Sequence, residues 1–292
     1  LHSLVYGNPC AFHLDPIERN AFFHVLPGTM SLCLATAGCN LACRFCQTWE
    51  ISQAAPEDVF GFDVPPDQVV RMAVDMGARA VCYTFVEPVV FYEYMRSIGD
   101  AANEAGILSV VRSNGFIEPG PLKELIPFIH AANIDLKSID DAFYRELCDG
   151  ELEPVLASMR LLRKAGMHLE VTNLVVPTRN DDMAQIKAMC VWIRDELGAD
   201  TPLHFWRFYP LHKLRNLPPT PETVLEEARM TAIDVGLKYV YIGNIPRHTG
   251  ENTFCPSCKG KVVSRTGFMV REVRLQSGKC GFCGQAIPGI WA

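Results

Sequence analysis

From residue 65 to 242 one cadence of apolar and polar positions repeats: a stretch of helical period, a glycine, then a short continuous apolar run. Gly77 precedes the run at 80–85, Gly106 that at 107–112 and Gly166 that at 167–173. Gly198 precedes 203–208, and Gly236 precedes 237–242. A glycine just past a helix closes it in the left-handed conformation. Runs such as Ile107-Leu-Ser-Val-Val111 are β-formers without alternation, the pattern of parallel strands buried on both faces. Met183, Ile186, Met189/Cys190, Ile193 and Leu197 recur at helical spacing behind Asp181-Asp182, which reads as a helix start. Thr220-Pro221 starts another, with proline at the first helical position. With residues 30–37 and 131–136 the pattern predicts about seven β runs joined by helical crossovers, an α/β fold with a parallel sheet. It does not separate an open doubly wound sheet from a barrel.

Two regions break the cadence. A long loop, 38–64, lies between the first β run and the first helix, and long loops in compact domains are usually functional. Near Glu251 the periodicity gives way to a Gly- and Cys-rich tail. The expected organisation is an N-terminal extension (1–28), a βα core (29–250) and a small module (251–292). The 292 residues, 49% hydrophobic and 21% charged, suit a globular chain that folds without disulfides. No run of 18 apolar residues and no charged-then-apolar leader occurs, so the expectation is a soluble, cytoplasmic protein without membrane contact. The net charge of −6 argues against coating nucleic acid. It is uneven: 251–292 hold six basic residues against two acidic, a net +4, on a body of −10.

Twelve cysteines change the picture. Their grouping points to metal and a reducing compartment rather than to a disulfide framework. Cys39, Cys43 and Cys46 have C-x3-C-x2-C spacing. Three thiolates on one loop can wrap one face of a cubane iron–sulfur cluster and leave the fourth iron without a protein ligand. A structural zinc site, the alternative, wants four ligands, and only three thiols are local. The loop follows an early β run, which places the group at the carboxyl end of the strands, where such folds put their chemistry.

This motif, with the aromatic Phe45 before its last cysteine, resembles that of the radical S-adenosylmethionine (radical SAM) superfamily. The resemblance implies a partial (β/α)6 TIM-like barrel and a [4Fe–4S] cluster whose open iron is chelated by SAM. It implies reductive cleavage of SAM to a 5′-deoxyadenosyl radical that abstracts hydrogen, with electrons from an external flavodoxin- or ferredoxin-like donor. Phe45 would pack on adenine or simply in the core. Thr84-Phe-Val-Glu87-Pro88 resembles the family's Gly-Gly-Glu-Pro segment without its glycines, so Glu87 carries over as the residue meeting SAM's amino group. Asn114-Gly115, Asp135-Leu-Lys137 and Val175-Val176-Pro177 resemble the activating enzymes of glycyl radical enzymes, and Pro210-Leu-His212 matches a His-bearing loop there. Those enzymes have Asp-Thr where Arg112 and Ser113 stand here. Arg112 would replace the missing cation and grip SAM's carboxylate; the alternative is an ion pair with Glu87 or Asp135.

Asn8-Pro-Cys10-Ala-Phe-His13-Leu-Asp15-Pro-Ile-Glu18, Leu26-Pro-Gly28 and Gln47-Thr-Trp49-Glu50-Ile-Ser52 resemble the AmmeMemoRadiSam radical SAM group, as does the tail. That resemblance implies a Memo-like partner protein, with the substrate, a small molecule or a protein glycyl residue, left open. A second reading is a metal or redox interaction protein that does not turn SAM over.

Cys255-x2-Cys258 and Cys280-x2-Cys283 form two knuckles joined by a hairpin-like stretch, with strands at 262–264 and 267–270. The spacing predicts a four-thiolate zinc ribbon, with a second iron–sulfur or rubredoxin-like iron site as the alternative. Cys33, Cys82, Cys148 and Cys190 read as core residues. Cys10, His13 and Asp15 read as structural, or as ligands of a metal or substrate. His24, His130, His168, His204 and His248 have no partner legible in the sequence.

Overall fold

The computed structural model describes residues 3–245 and 247–292. Every apolar run of the cadence is a strand: β2 (Met30–Ala35), β3 (Ala80–Tyr83), β4 (Leu108–Ser113), β5 (Ala131–Asp135), β6 (His168–Val175), β7 (Leu203–Arg207) and β8 (Val240–Gly243). All are parallel, in the order of the chain, so each crossover sets the next strand on the same side. That order has no switch point, which decides for a curled barrel-type sheet over a doubly wound one. There are seven parallel strands, one more than the six implied by the resemblance. An eighth, β1 (Ala11–Pro16), comes from the expected N-terminal extension and pairs antiparallel with β2. It is only partly buried, with adjacent His13 and Leu14 both exposed, as an edge strand can be, and this hides it from a search for apolar runs. Among the described residues β1 and β8 do not pair, so the barrel is open along one seam.

Outside the sheet lie α1 (Trp49–Ser52), α2 (Pro66–Asp75), α3 (Tyr92–Ala105), α4 (Pro119–Leu125), α5 (Asp141–Phe143), α6 (Leu152–Lys164), α7 (Met183–Trp192) and α8 (Glu222–Val235). Gly106 and Gly236 close α3 and α8 at φ 70° and 109°, as the cadence requires. Asp182 caps α7 by accepting the Gln185 N–H at 3.0 Å. Pro221 stands one position before the first turn of α8, because Thr220 is held back by bonds to Val175 O and the Phe208 N–H.

Strand alternation assigns the two faces. Leu32, Leu34, Val81, Tyr83, Val111 and Ile134 pack outward in the main core shared with the helices. Cys33, Ala80, Cys82, Val110 and Ala131 face the lumen, where Ile17, Phe22, Val25 and Leu26 plug its floor. Beside the plug Glu170, wholly buried, accepts the backbone N–H groups of Phe23 (3.1 Å) and His24 (2.9 Å). It also meets ring nitrogens of His168 (3.1 Å) and His204 (2.7 Å). Burial alone would raise its pKa, but these donors hold the carboxyl well below the usual carboxylate range. The histidines without a legible partner thus include three gathered on one carboxylate.

The tail folds as β9 (Thr253–Phe254), β10 (Lys261–Thr266) and β11 (Met269–Val273) in the order β11-β10-β9, followed by the small pair β12 (Leu275–Gln276) and β13 (Lys279–Cys280). It joins the plug through His24, whose ring nitrogens lie 2.6 Å from both Pro288 O and Tyr241 OH. Burial pushes the His24 imidazole down to about 3 against the pull of Glu170, so it stays neutral while an unfolded chain takes up the proton. Stability should therefore fall as pH drops below about 6.5, by up to ~1.4 kcal/mol per pH unit from this group alone. Urea unfolding from pH 7 to 5 should show that slope, reduced in His24→Gln; a flat profile for the parent protein would contradict the assignment.

Candidate active site and metal centre

The loop after β2 carries Cys39, Cys43 and Cys46 at the carboxyl end of the parallel strands. Backbone bonds fix it from several sides. Ala42 and Arg44 donate N–H to the carbonyls of Cys148 and Leu147, both at 2.8 Å, and Gly38 donates to Ile51 O at 2.9 Å. Those carbonyls belong to the π-turn Tyr144–Cys148 after α5, so a wide turn, rather than a regular helix end, seats the loop. Gly150 lies where a Cβ would come 2.5 Å from Leu41 Cδ2, so the segment approaches only without a side chain.

Glu87 and Asn114 link this loop to the strand ends. Glu87 is buried, and its carboxylate accepts the Ser113 hydroxyl (2.7 Å), the Asn114 N–H (2.7 Å) and the Val89 N–H (3.1 Å). Burial pushes its pKa up to about 7 although all three donors pull the other way. The Asn114 amide donates to Asn40 Oδ1 at 2.8 Å and stands 3.8 Å from Cys39 Sγ, while its oxygen accepts the Phe116 N–H. Glu87 therefore holds the Ser113–Asn114 turn with donors of this chain, where the resemblance has it meeting SAM's amino group.

Arg112 of β4 and Asp135 of β5 are neighbours on adjacent strands at the mouth of the lumen. Arg112 Nη2 lies 3.2 Å from Asp135 Oδ1, and its guanidinium sits 4.5 Å above the Trp206 ring. Of the two arrangements expected for Arg112, the structure has the ion pair with Asp135. Lys137 Nζ approaches the other Asp135 oxygen at 3.6 Å and lies 6.0 Å over the Phe45 ring. Burial would raise Asp135, but the two cations outweigh it and hold its pKa low. Phe45 is buried and packs on Phe143 at 5.5 Å. His212 stacks on Trp49 of the loop at 5.2 Å and 17°, away from the Arg112–Asp135 pair in its bonding.

The sequence reading passed over Lys137, Trp206 and Cys148 as site residues. Lys137 could have been found, since it closes the Asp135-Leu-Lys137 motif. Trp206 carries no motif. The Cys148 thiol, counted as core, hydrogen-bonds to Cys43, which together with burial pushes the Cys43 thiol well above its ordinary value. His13 and Asp15 lie on the face of β1 that meets Cys33 and Ser31, but Asp15 pairs with Arg19 at 2.9 Å. They form no three-ligand group with Cys10 among the described residues.

The two cysteine groups differ in the metal they fit. In the tail, the sulfurs of Cys255, Cys258, Cys280 and Cys283 all lie within 4.8 Å of one another, with two pairs at 3.7 Å. A metal–sulfur bond of about 2.3 Å in a tetrahedron spaces its sulfurs by ~3.8 Å, so this set fits one ion rather than a cluster. Cys39, Cys43 and Cys46 make no such tight set among the described residues, which suits ligands for separate irons. Their surroundings also fit: the Leu41 N–H donates to Cys39 Sγ at 3.4 Å, and the Ser52 hydroxyl lies 3.1 Å from Cys46 Sγ. Hydrogen bonds to sulfur are among the levers that tune iron–sulfur clusters.

Glu87→Gln presents an amide N–H₂ to a set of donors and should cost about 1–3 kcal/mol. Urea unfolding of the metal-free protein measures this. Unchanged stability with weakened SAM binding would instead give Glu87 the ligand-contacting role.

A family model described as the radical SAM superfamily matches residues 34–190. An uncharacterized protein of Methanocaldococcus jannaschii is 43% identical over 289 residues, covering 98% of this chain and 86% of that one. Benzylsuccinate synthase activating enzyme of Thauera aromatica is 22% identical over 158 residues, 52% of this chain and 48% of its own length. Among solved structures, a radical SAM methyltransferase from Sphaerobacter thermophilus shares the fold at a TM-score of 0.58 and 15% identity, over 77% of this chain and 70% of that one. SuiB of Streptococcus suis, bound to S-adenosylmethionine, does so at 0.55 and 13% identity, over 75% of this chain and 49% of that one. A cysteine triad at the mouth of an open parallel barrel and a family match across its core lead to one conclusion: the chain belongs to the radical SAM superfamily.

Proposed function

We propose that the chain is a radical SAM enzyme in which Cys39, Cys43 and Cys46 ligate a [4Fe–4S] cluster and the lumen receives the substrate. Held by three thiolates, such a cluster supplies the electron that cleaves SAM to methionine and a 5′-deoxyadenosyl radical, which takes a hydrogen atom from the substrate. The observation that carries the reading is the fixed loop itself: three thiols at the strand ends, braced by Asn114 on one side and the Tyr144–Cys148 turn on the other.

The chain's own residues then bind and orient. Arg112 and Lys137 both pair with one carboxylate, Asp135, at the mouth of the lumen. The carboxylate of SAM can accept a charge-assisted hydrogen bond from either cation. Phe45 backs Lys137 and fixes the inner side of the loop. The apolar plug excludes water from the floor, the condition under which a reactive carbon radical survives long enough to meet its target.

The likeness to benzylsuccinate synthase activating enzyme supports a protein segment, with a glycyl hydrogen as its target, over a small molecule. A flavodoxin- or ferredoxin-like protein would supply the electron. The four-cysteine site takes zinc in this reading.

Anaerobic reconstitution with SAM and a strong reductant should yield 5′-deoxyadenosine, with none above background in Cys43→Ala. A fully loaded cluster that neither binds nor cleaves SAM would overturn the proposal. Arg112→Ala should weaken SAM binding by about tenfold or more, as expected for loss of a hydrogen bond between charged groups worth ~1.5–3 kcal/mol. Titration calorimetry with the reconstituted protein measures it, and unchanged affinity would remove Arg112 from the SAM site.

A further inference from the structure

The seam between β1 and β8 is where the tail module sits. Tyr241 of β8, Tyr239 just before it and Phe23 of the plug share one apolar cluster with Cys255, Val262, Cys280 and Ile287 of the module. The chain end returns to the same place: the Leu26 N–H donates to Ile290 O at 2.7 Å, and the Ile290 N–H donates to His24 O at 2.8 Å. Between them Arg265 of β10 points inward with its side chain wholly buried. It donates to Phe23 O (2.7 Å) and Thr253 Oγ1 (2.9 Å), lies 3.5 Å from Glu18 and sits 4.2 Å over the Phe23 ring. A charge so deeply buried is tolerated only in fixed, paired geometry, so the module is fastened to the barrel rather than hung from it.

Beyond Arg265 the β10–β11 turn reaches the lumen wall. The Gly267 N–H donates to Glu251 at 2.9 Å, and the turn's positive φ of 59° at this position favours glycine. Phe268 follows, its ring 6.4 Å from that of Trp206. Trp206 lies flat along β8, where a Cβ on Gly243 would come 2.4 Å from its Nε1. Its Nε1 is buried without a partner, and Arg112 stacks on the ring. A continuous row, Asp135–Arg112–Trp206–Phe268, thus crosses from β5 to the module.

We propose that the four-cysteine module is the side wall of the reaction lumen, with Arg265 as the strut that seats it and Phe268 as the specificity-determining residue that bounds the substrate space beside Trp206. The role in substrate selection rests on the radical SAM reading; the wall itself does not. The module's metal then has a stated purpose. It holds the two knuckles from which the hairpin projects, and small four-thiolate modules lose their fold with their metal.

Cys33 and Cys82 are wholly buried beneath the plug that the module's Arg265 and Ile290 hold in place, so their protection reports on whether the module is seated. In the full chain, maleimide labelling read by mass spectrometry should leave them protected. A Cys255→Ser/Cys280→Ser variant should label them several-fold faster, with Cys190, in α7 outside the lumen, still protected. Unchanged protection of Cys33 and Cys82, or labelling of Cys190 in parallel, would overturn the wall assignment. With all four thiols intact, Phe268→Ala should raise hydroxyl-radical oxidation of Trp206 several-fold and leave Trp192 on α7 unchanged. An unaltered Trp206 would overturn the role of Phe268. Neither readout needs SAM cleavage, so loss of this inference and loss of the radical SAM reading are separate results.

Discussion

The buried carboxylate of Glu87 is the tie on which the cysteine loop depends. It sits at the end of one strand, accepts two donors from the end of the next, and so fixes the turn whose Asn114 amide meets Asn40 and Cys39. Hydrogen bonds to a charged group contribute about 1.5–3 kcal/mol each, and an abandoned buried donor costs a similar amount. The arrangement is therefore held in one geometry or not at all. A loop that must present three thiolates to a single cluster needs that rigidity, because loops left to themselves fluctuate.

The lumen is graded along its axis, and the grading follows from strand alternation. At the floor, small and apolar residues of β2 to β5 meet Ile17, Phe22, Val25 and Leu26. At the mouth, the same inward positions carry Arg112 and Asp135, with Lys137 just past β5. The free rims of the strands thus carry the Arg112–Asp135–Lys137 group, while the buried charges beside the plug, Glu170 and Arg265, are all held in fixed pairs.

Much of this was legible in the sequence because the physics is local. Apolar runs marked every parallel strand, five of them behind a glycine that follows a helix, and the cysteine spacings marked both metal groups. β1 escaped because an edge strand is only partly buried, with His13 and Leu14 exposed and Pro16 at its end. The partner of Arg112 was one of two alternatives until the register, which pairs it with Asn133, set Asp135 two residues further along the next strand within its reach. What stayed hidden depends on distant segments meeting. Glu170 at the amides of Phe23 and His24, Arg265 at Phe23 in the seam and Phe268 beside Trp206 join residues more than sixty positions apart. No spacing rule encodes such encounters, since each exists only once the barrel has curled.

The central claim is that the cluster held by Cys39, Cys43 and Cys46 keeps an iron open for SAM. Electron paramagnetic resonance of the reduced, reconstituted protein tests it directly, recorded before and after SAM is added under anaerobic conditions. The account predicts a [4Fe–4S]⁺ signal whose g-values shift on SAM binding. A signal unchanged at saturating, demonstrably bound SAM would contradict it.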